Sequence, residues 1–407
     1  MGSLSRPACQ GRCSGSVHGF SRPACQGRCS GSVHGFSRPA CQGRCSGSVH
    51  GFSLSSCLSR QVLWLRSWVL SLVLPVKVIM WWEAGSVLVG LVVLRRLWKS
   101  YVGENEVNSK GRVMVITGCD SGIGYNLALS AHAWGWTVVA TCVTPDGNAA
   151  SLLRHAGIHT VALDFTRPDT LAHLMDLLKQ LKDNKQEVWG VVNNAGLLTY
   201  APCEWQTSTM VCRQIQVNLM GAIVVTRALL PALRTNKGRV VMVSSPAGQV
   251  ATTNMTVYCA TKWGVEGFTQ ALRRELAPTG VSVVLVRPCN LPNRTGILRN
   301  NAAQLREMIE EATEQTLQEY GKAMKETEEA FRQAFESVTE VQDLHDDYLL
   351  QCFRCAMMST RPRATYSAAP LMVRLSLLLF QLLPTSWLDF LIARNFYNII
   401  LSLGKNN

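Results

Sequence analysis

From residue 111 onward, short apolar runs alternate with longer amphipathic ones. Arg112–Thr117, Thr137–Cys142, Ile158–Asp164, Val188–Asn193, Arg239–Ser244 and Val281–Arg287 are six or seven residues long and rich in Val, Ile and Thr. Each predicts a buried strand. Helical periodicity fills the intervals: Gly122–Trp134, Leu171–Leu181, a long stretch around Met210–Leu233, and Val257–Leu276. Strand–helix alternation implies an α/β fold, a doubly wound parallel sheet flanked by helices. In such sheets ligands bind outside the carboxyl ends of the strands. Beyond residue 300 the pattern changes. Asn300–Val338 is dense in Glu, Gln, Lys and Ala and predicts one or two amphipathic helices, read first as a solvated helical face. Leu371–Leu383 and Trp387–Leu403 are apolar but broken by Arg374, Pro384, Asp389 and Arg394. They are too short and interrupted to span a bilayer, and suit in-plane contact with membrane lipid.

Ahead of the alternating part the chain is of another kind. SRPACQGRCSGSVHGF occupies residues 5–20 and recurs unchanged at 21–36 and 37–52. It has almost no large apolar residue, so a disordered leader is expected over 1–60. Cys9, Cys13 and His18 do not have zinc spacing. Residues 61–100 are strongly apolar. The run from Trp81 to Leu94 approaches a span, and Arg95, Arg96 and Lys99 follow it. The positive-inside rule then sets the following domain in the cytosol, which suggests an endoplasmic reticulum anchor. An Arg- and Ser-rich, nearly acid-free leader is the rival reading, a mitochondrial presequence. Met80 is a plausible alternative start. The expected organisation is leader 1–60, anchor 61–100, catalytic domain 108–300 and helical extension 301–407.

Charge sharpens this division. The formal net charge is +13, but residues 1–100 carry 12 Lys/Arg against one acid, Glu83, while the 28 Lys/Arg and 26 acids of the remainder nearly cancel. The basicity is therefore no argument for nucleic acid. Seven of the 15 Cys lie in residues 1–57, and the other eight lack framework spacing, as expected of reduced thiols. No His pair has metal-ligand spacing, and no metal is expected.

Two short stretches carry chemistry. Tyr258-Cys259-Ala260-Thr261-Lys262 places Tyr258 and Lys262 four apart, on one face of a helix. A nearby ammonium favours a phenolate, so Lys262 is expected to lower the Tyr258 pKa for acid–base work. Ser245, thirteen residues upstream, can hold the reacting oxygen. The first strand runs into Thr117-Gly118-Cys119-Asp120-Ser121-Gly122-Ile123-Gly124 and then a helix. Glycines there let backbone approach a pyrophosphate at the helix N-terminus.

Together with Asn193-Asn194-Ala195-Gly196, Asn218 in VNLMG and Ser245 in SSPAG, these motifs stand in the order and spacing of the short-chain dehydrogenases/reductases. The chain resembles that family over roughly residues 108–400. TGCDSG, WGVVNNAG, KGRVVMVSS and EYGK give a narrower likeness to its membrane-associated branch of retinol, hydroxysteroid and 3-hydroxybutyrate dehydrogenases, arthropod steroid-pathway members included. The resemblance implies a Rossmann-like fold. It makes Tyr258 the general acid/base, Lys262 its electrostatic partner and ribose ligand, Ser245 the holder of the substrate oxygen, and Asn218 the support of a proton-relay water. Thr117, Gly118, Ser121, Gly122, Ile123 and Gly124 would cradle the cofactor, Asn194, Ala195 and Gly196 would floor its groove, and Asp164 would lie near the adenine. The segment 301–338 becomes a substrate lid, and a homodimer is compatible with the family.

NAD is expected over NADP: Thr141–Asp146 contains no Lys or Arg, and Asp120 would repel a 2′-phosphate. Replacing Cys142 with Arg should then recruit NADP. The expected activity is alcohol–carbonyl interconversion on a lipophilic steroid or retinoid, with a small 3-hydroxy acid as the alternative. Two departures from the family stand out. Cys289 replaces the usual Gly after Pro288, where its side chain could crowd the ring or point away. Arg287 stands where relatives often carry an acid, and together these raise a reading as a tethered protein with lost turnover. Asn290 and Thr295 keep the spacing of 3-hydroxybutyrate-like members.

Overall fold

A computed structural model describes residues 85–87, 89–94, 105–289, 296–335 and 347–394. The repeats, Met80, the basic residues Arg95, Arg96 and Lys99, Asn290, Thr295 and the end of the chain lie outside the described residues. Residues 85–87 and 89–94 are helical, and their apolar side chains, Val89 and Leu91 among them, are exposed.

The six expected strands form, as β1 (Arg112–Ile116), β2 (Thr137–Cys142), β3 (His159–Ala162), β4 (Glu187–Asn193), β5 (Arg239–Val243) and β6 (Ser282–Pro288). A seventh, β7 (Thr365–Ala368), joins β6, and the sheet order is β3-β2-β1-β4-β5-β6-β7 with every pairing parallel. Successive side chains on a strand point to opposite faces. On β1, Met114 and Ile116 enter one core and Val113 and Val115 the other. A sheet buried on both faces explains why its strands read as continuous apolar runs.

The first core is covered by α1 (Gly122–Ala133), α2 (Asn148–His155) and, from the far end of the chain, α9 (Asp347–Met358). The second is covered by α3 (Thr170–Asp183), α5 (Ala222–Thr235) and α6 (Thr256–Leu276). The extension read as a helical tail over 301–407 therefore contains two parts of the sheet domain, α9 and β7. Phe353, fully buried on α9, shows why: without it the sheet face beside β7 would lie open.

Before α5 runs α4 (Ser208–Ile215), and a π-helical turn, Gln216–Gly221, joins the two without a break. The combined helix Ser208–Thr235 is long and apolar enough to cross a membrane by length and composition. Its apolar face lies on β4, and it is a core helix of the sheet domain. After β6 come α7 (Asn301–Glu311) and α8 (Glu314–Phe335), then α9 and β7, and last α10 (Leu371–Leu382) and α11 (Thr385–Ala393).

Candidate active site

The carboxyl end of β1 meets that of β4, and the two are clasped together. Thr117 Oγ1 accepts hydrogen bonds from the backbone N–H of Asn194 and Ala195, each at 3.0 Å. Asn194 Nδ2 donates to the Thr117 and Gly118 carbonyls at 2.9 and 3.1 Å. Glycine is required at two points. Gly118 has φ +71°, and a Cβ there would stand 2.7 Å from Ala195 Cα. A Cβ on Gly124 would stand 2.1 Å from the Gly118 carbonyl oxygen. Ser121 caps α1 in an extended conformation, and the first turn of that helix holds no acidic residue. The first α-helical bond runs from Tyr125 N to Ser121 O. The N–H groups of Gly122, Ile123 and Gly124 thus precede the hydrogen-bond ladder, while the Ile123 side chain packs into the core. This cradle fits a pyrophosphate.

Two acids thought to bear on the cofactor have structural duties. Asp120 accepts from the N–H of Val143 and Thr144, each at 3.0 Å, and from Thr144 Oγ1 at 2.9 Å. It ties the glycine turn to the loop after β2. Asp164 accepts from Thr166 N and Oγ1 at 2.9 and 2.7 Å, shaping the turn between β3 and α3. A cation missed in the sequence returns to this edge: Arg154 on α2 donates to the Pro145 carbonyl at 2.7 Å and to Thr160 Oγ1 at 3.0 Å. Cys142 is buried in the core, and burial pushes its thiol up to about 12. It is therefore an unsuitable place for an introduced guanidinium, contrary to the expectation for Cys142→Arg.

The four residues expected to act at the reacting oxygen come from three elements. Tyr258 and Lys262 lie on the buried face of α6, with Thr261, Val265, Glu266 and Thr269. Lys262 Nζ donates to the Val243 carbonyl at 3.1 Å and stands 5.5 Å from the Tyr258 ring centroid. Asn218 sits in the π-helical turn, where the extra residue turns its amide back to the chain after β4. Its Oδ1 accepts from Leu197 N and its Nδ2 donates to Leu197 O, both at 2.8 Å, and Nδ2 also donates to Thr261 Oγ1 at 3.2 Å. Gly196 lies between these groups: a Cβ there would stand 3.5 Å from Asn218 Oδ1 and 3.6 Å from Lys262 Nζ. Ser245 Oγ accepts from Ala247 N at 3.2 Å and hydrogen-bonds with Tyr258. Ser244, its neighbour, points elsewhere: its Oγ would lie 2.7 Å from a Cβ on Gly248.

The ionisation state corrects one expectation. Burial pushes the Tyr258 phenol up to about 12, and its hydrogen bond with Ser245 only partly opposes this. Lys262 does not lower it. Burial pulls Lys262 itself down to about 8, although Glu266 one turn further on resists. For each group desolvation of the charged form outweighs what its neighbour offers, Ser245 for the phenol and Glu266 for the ammonium.

Apolar groups surround the phenol: Leu198, Ala247 and Cys259 are buried with it, and Met255, Ile297 and Leu298 pack against them. The α7–α8 hairpin is docked rather than wholly solvated. Asn301 Oδ1 accepts from Tyr200 N at 2.8 Å and its Nδ2 donates to Tyr200 O at 3.1 Å. Leu305, Met308 and Met324 bury against Ala201 and Met210, and the Trp205 and Tyr320 rings meet at a tilt of 48° with centroids 6.0 Å apart. Cys289 is buried with Val250, Ala369, Val373, Leu377 and Phe380, so its side chain packs under α10. Arg287 was read as an unexplained departure, and it has a partner. Its Nε and Nη2 donate to the two carboxylate oxygens of Glu266 at 2.7 and 2.6 Å. Glu266 was missed, although its place four residues after Lys262 is legible in the sequence.

A parallel α/β sheet with a pyrophosphate cradle at the end of β1 and a Ser–Tyr–Lys group at the ends of β5 and α6 defines a dinucleotide-dependent oxidoreductase class. Comparison with known proteins agrees. Residues 112–306 match the short chain dehydrogenase family. Over 285 residues the chain is 33% identical to retinol dehydrogenase 7 of Rattus norvegicus, covering 69% of this chain and 87% of that protein. It is 32% identical to 17-beta-hydroxysteroid dehydrogenase type 6 of Homo sapiens over 327 residues, 77% of this chain and 97% of that protein. Identity to mitochondrial D-beta-hydroxybutyrate dehydrogenase of Rattus norvegicus is 34% over 232 residues, 55% of this chain and 67% of that protein. The chain belongs to the short-chain dehydrogenase family, in the branch of these relatives, and is an oxidoreductase acting on CH–OH groups.

Proposed function

We propose that this protein is an NAD-linked dehydrogenase of a lipophilic alcohol, a steroid or retinoid, acting at the endoplasmic reticulum membrane with its catalytic domain facing the cytosol. The observation that carries the reading is the meeting of Asn218 and Lys262 beside Gly196, with Lys262 5.5 Å from the Tyr258 ring centroid and Tyr258 hydrogen-bonded to Ser245 within an apolar surround. The glycine cradle of β1–α1 and the floor Asn194–Gly196 would hold the dinucleotide, which supplies the hydride acceptor or donor when bound.

The residues divide the remaining work. Ser245 holds the reacting oxygen beside the Tyr258 hydroxyl. Tyr258, neutral at physiological pH because burial raises its pKa, donates its proton to a carbonyl oxygen in reduction; in oxidation it takes the alcohol proton as it passes its own on towards solvent, so the phenol is neutral before and after. Lys262 would offer its ammonium to the ribose and to the negative charge that develops on the Tyr258 oxygen as its proton leaves. Asn218, fixed to the Leu197 backbone through both ends of its amide, would support the water that relays this proton to solvent. Support for NAD comes from Asp120, whose carboxylate occupies the loop after β2, and from Arg154, which is committed to Pro145 and Thr160. A phosphate there would meet the Asp120 negative charge, while Arg154 is already committed.

The likeness to D-beta-hydroxybutyrate dehydrogenase supports a second reading, a small 3-hydroxy acid as substrate and a mitochondrial location. Assaying purified protein for NADH fluorescence with sterols, retinol and 3-hydroxybutyrate separates the two. Turnover of a sterol or retinol is expected, and turnover of 3-hydroxybutyrate alone would replace the reading. In the same assay Tyr258→Phe should lower kcat by about 10²–10⁴-fold while NADH still binds. Wild-type turnover in that variant, with chemistry limiting, would remove Tyr258 from its role.

A further inference from the structure

The buried face of α6 carries Tyr258, Lys262 and Glu266 at successive turns. A buried carboxylate is costly unless it is paired. Glu266 is only 5% exposed along its side chain, and Arg287 of β6 meets both of its oxygens at 2.7 and 2.6 Å. This fork geometry is that of a strong charge-assisted pair. The turn after Ser245 leaves the carboxylate little room, since a Cβ on Gly248 would lie 3.1 Å from Glu266 Cγ. Lys262, one turn back, directs its ammonium to Val243 O and towards Gly196, not to Glu266. Further along α6, Arg273 feels both members of the pair as well as its neighbour Arg274, and its Nε donates to Val283 O at 3.1 Å.

We propose that Arg287 and Glu266 are a positioning pair for Lys262. Glu266 supplies a negative charge that keeps the ammonium charged, and Arg287 holds that carboxylate back from closing onto it. Lys262 is thereby left free to face Gly196 and Tyr258. The inference rests on the reading of Lys262 as the ribose- and phenol-supporting ammonium. It also turns Arg287 from a sign of lost turnover into a working part of the site.

The test uses the purified full chain and follows NADH affinity by fluorescence, and kcat/KM, across the alkaline range. Glu266→Gln removes the supporting charge, so Lys262 gives up its proton earlier. The alkaline loss of NADH affinity and of activity should shift down by about one pH unit. Arg287→Met frees Glu266 to pair with Lys262. The alkaline limb should shift up by about as much, with NADH affinity down about tenfold or more at neutral pH, and Arg287→Lys should restore most of it. Because Arg287→Met leaves a buried carboxylate, the double variant Glu266→Gln/Arg287→Met is measured beside it and should behave like Glu266→Gln alone. Equal losses of Tm with unmoved pH limbs in folded variants would reduce the pair to packing and overturn the proposal. NADH affinity unchanged in Lys262→Met would instead refute the functional reading of Lys262, and the pair's role with it.

Discussion

At the residue scale, the site is built from groups held against their ordinary ionisation. Lys262 ionises at about 8 in the folded chain against an ordinary 10.5. Between those values the unfolded chain keeps a proton that the folded chain has released. Stability therefore rises with pH across that interval, and the charge burdens the fold in full below pH 8. Lys262→Met should abolish turnover yet raise Tm at neutral pH by a few degrees, the gain shrinking as pH climbs through the interval. Thermal melts of both proteins at several pH values check this, and an unchanged or lowered Tm at pH 7 would contradict it. Cofactor choice also rests on single side chains. Val143 is exposed beside the Asp120 clasp, whereas Cys142 is buried. Val143→Arg should raise kcat/KM for NADP relative to NAD, with fold and Tm little changed. A parent enzyme that already prefers NADP would show that the Asp120 carboxylate does not control the choice.

At the element scale, two backbone devices set the geometry. The π-helical turn Gln216–Gly221 lets Asn218 reach both Leu197 and Thr261 from within a helix. The β1–α1 turn works only with glycine at two of its positions. Gly124→Ala would set a methyl group 2.1 Å from the Gly118 carbonyl and 2.6 Å from Asn194 Nδ2. Neither atom can yield without opening the clasp between β1 and β4. NADH affinity should fall at least about tenfold, more than kcat at saturating cofactor. Titration of the folded variant by NADH fluorescence measures it, and wild-type affinity would show that the turn does not contact the dinucleotide.

At the scale of the whole molecule, α10 is apolar on both sides. Val373, Leu377 and Phe380 face the core around Cys289, while Leu371, Met372, Leu375, Leu378, Leu379 and Leu382 are exposed. Trp387 and Phe390 on α11 add to the exposed set. Patches of this kind mark contact surfaces, and two short apolar helices suit the plane of a bilayer interface. The protein without residues 1–100 should still bind phospholipid vesicles, and Leu375→Asp/Leu379→Asp should abolish that binding while leaving NADH affinity unchanged. Vesicle flotation gives the answer, and undiminished binding of the double variant would move the contact elsewhere.

The sequence by itself determined what depends on neighbours along the chain. The period of apolar residues predicts six strands and their helices, because the 2.0 and 3.6 periods are local geometry. The glycine turn and the spacing of Ser245, Tyr258 and Lys262 are legible for the same reason. Strand β7 and helix α9 were not read as parts of the sheet, since a four-residue edge strand has too weak a pattern until β6 is beside it. Nor could the sequence show that Glu266 and Arg287 meet, that Cys142 is enclosed, or that Cys289 packs beneath α10. The Tyr258 phenol moved opposite to the local expectation. An ammonium four residues away is visible in the sequence, but desolvation depends on every element packed around the ring. Burial, long-range pairing and ionisation are sums over contacts distant in sequence, and only the tertiary structure decided them.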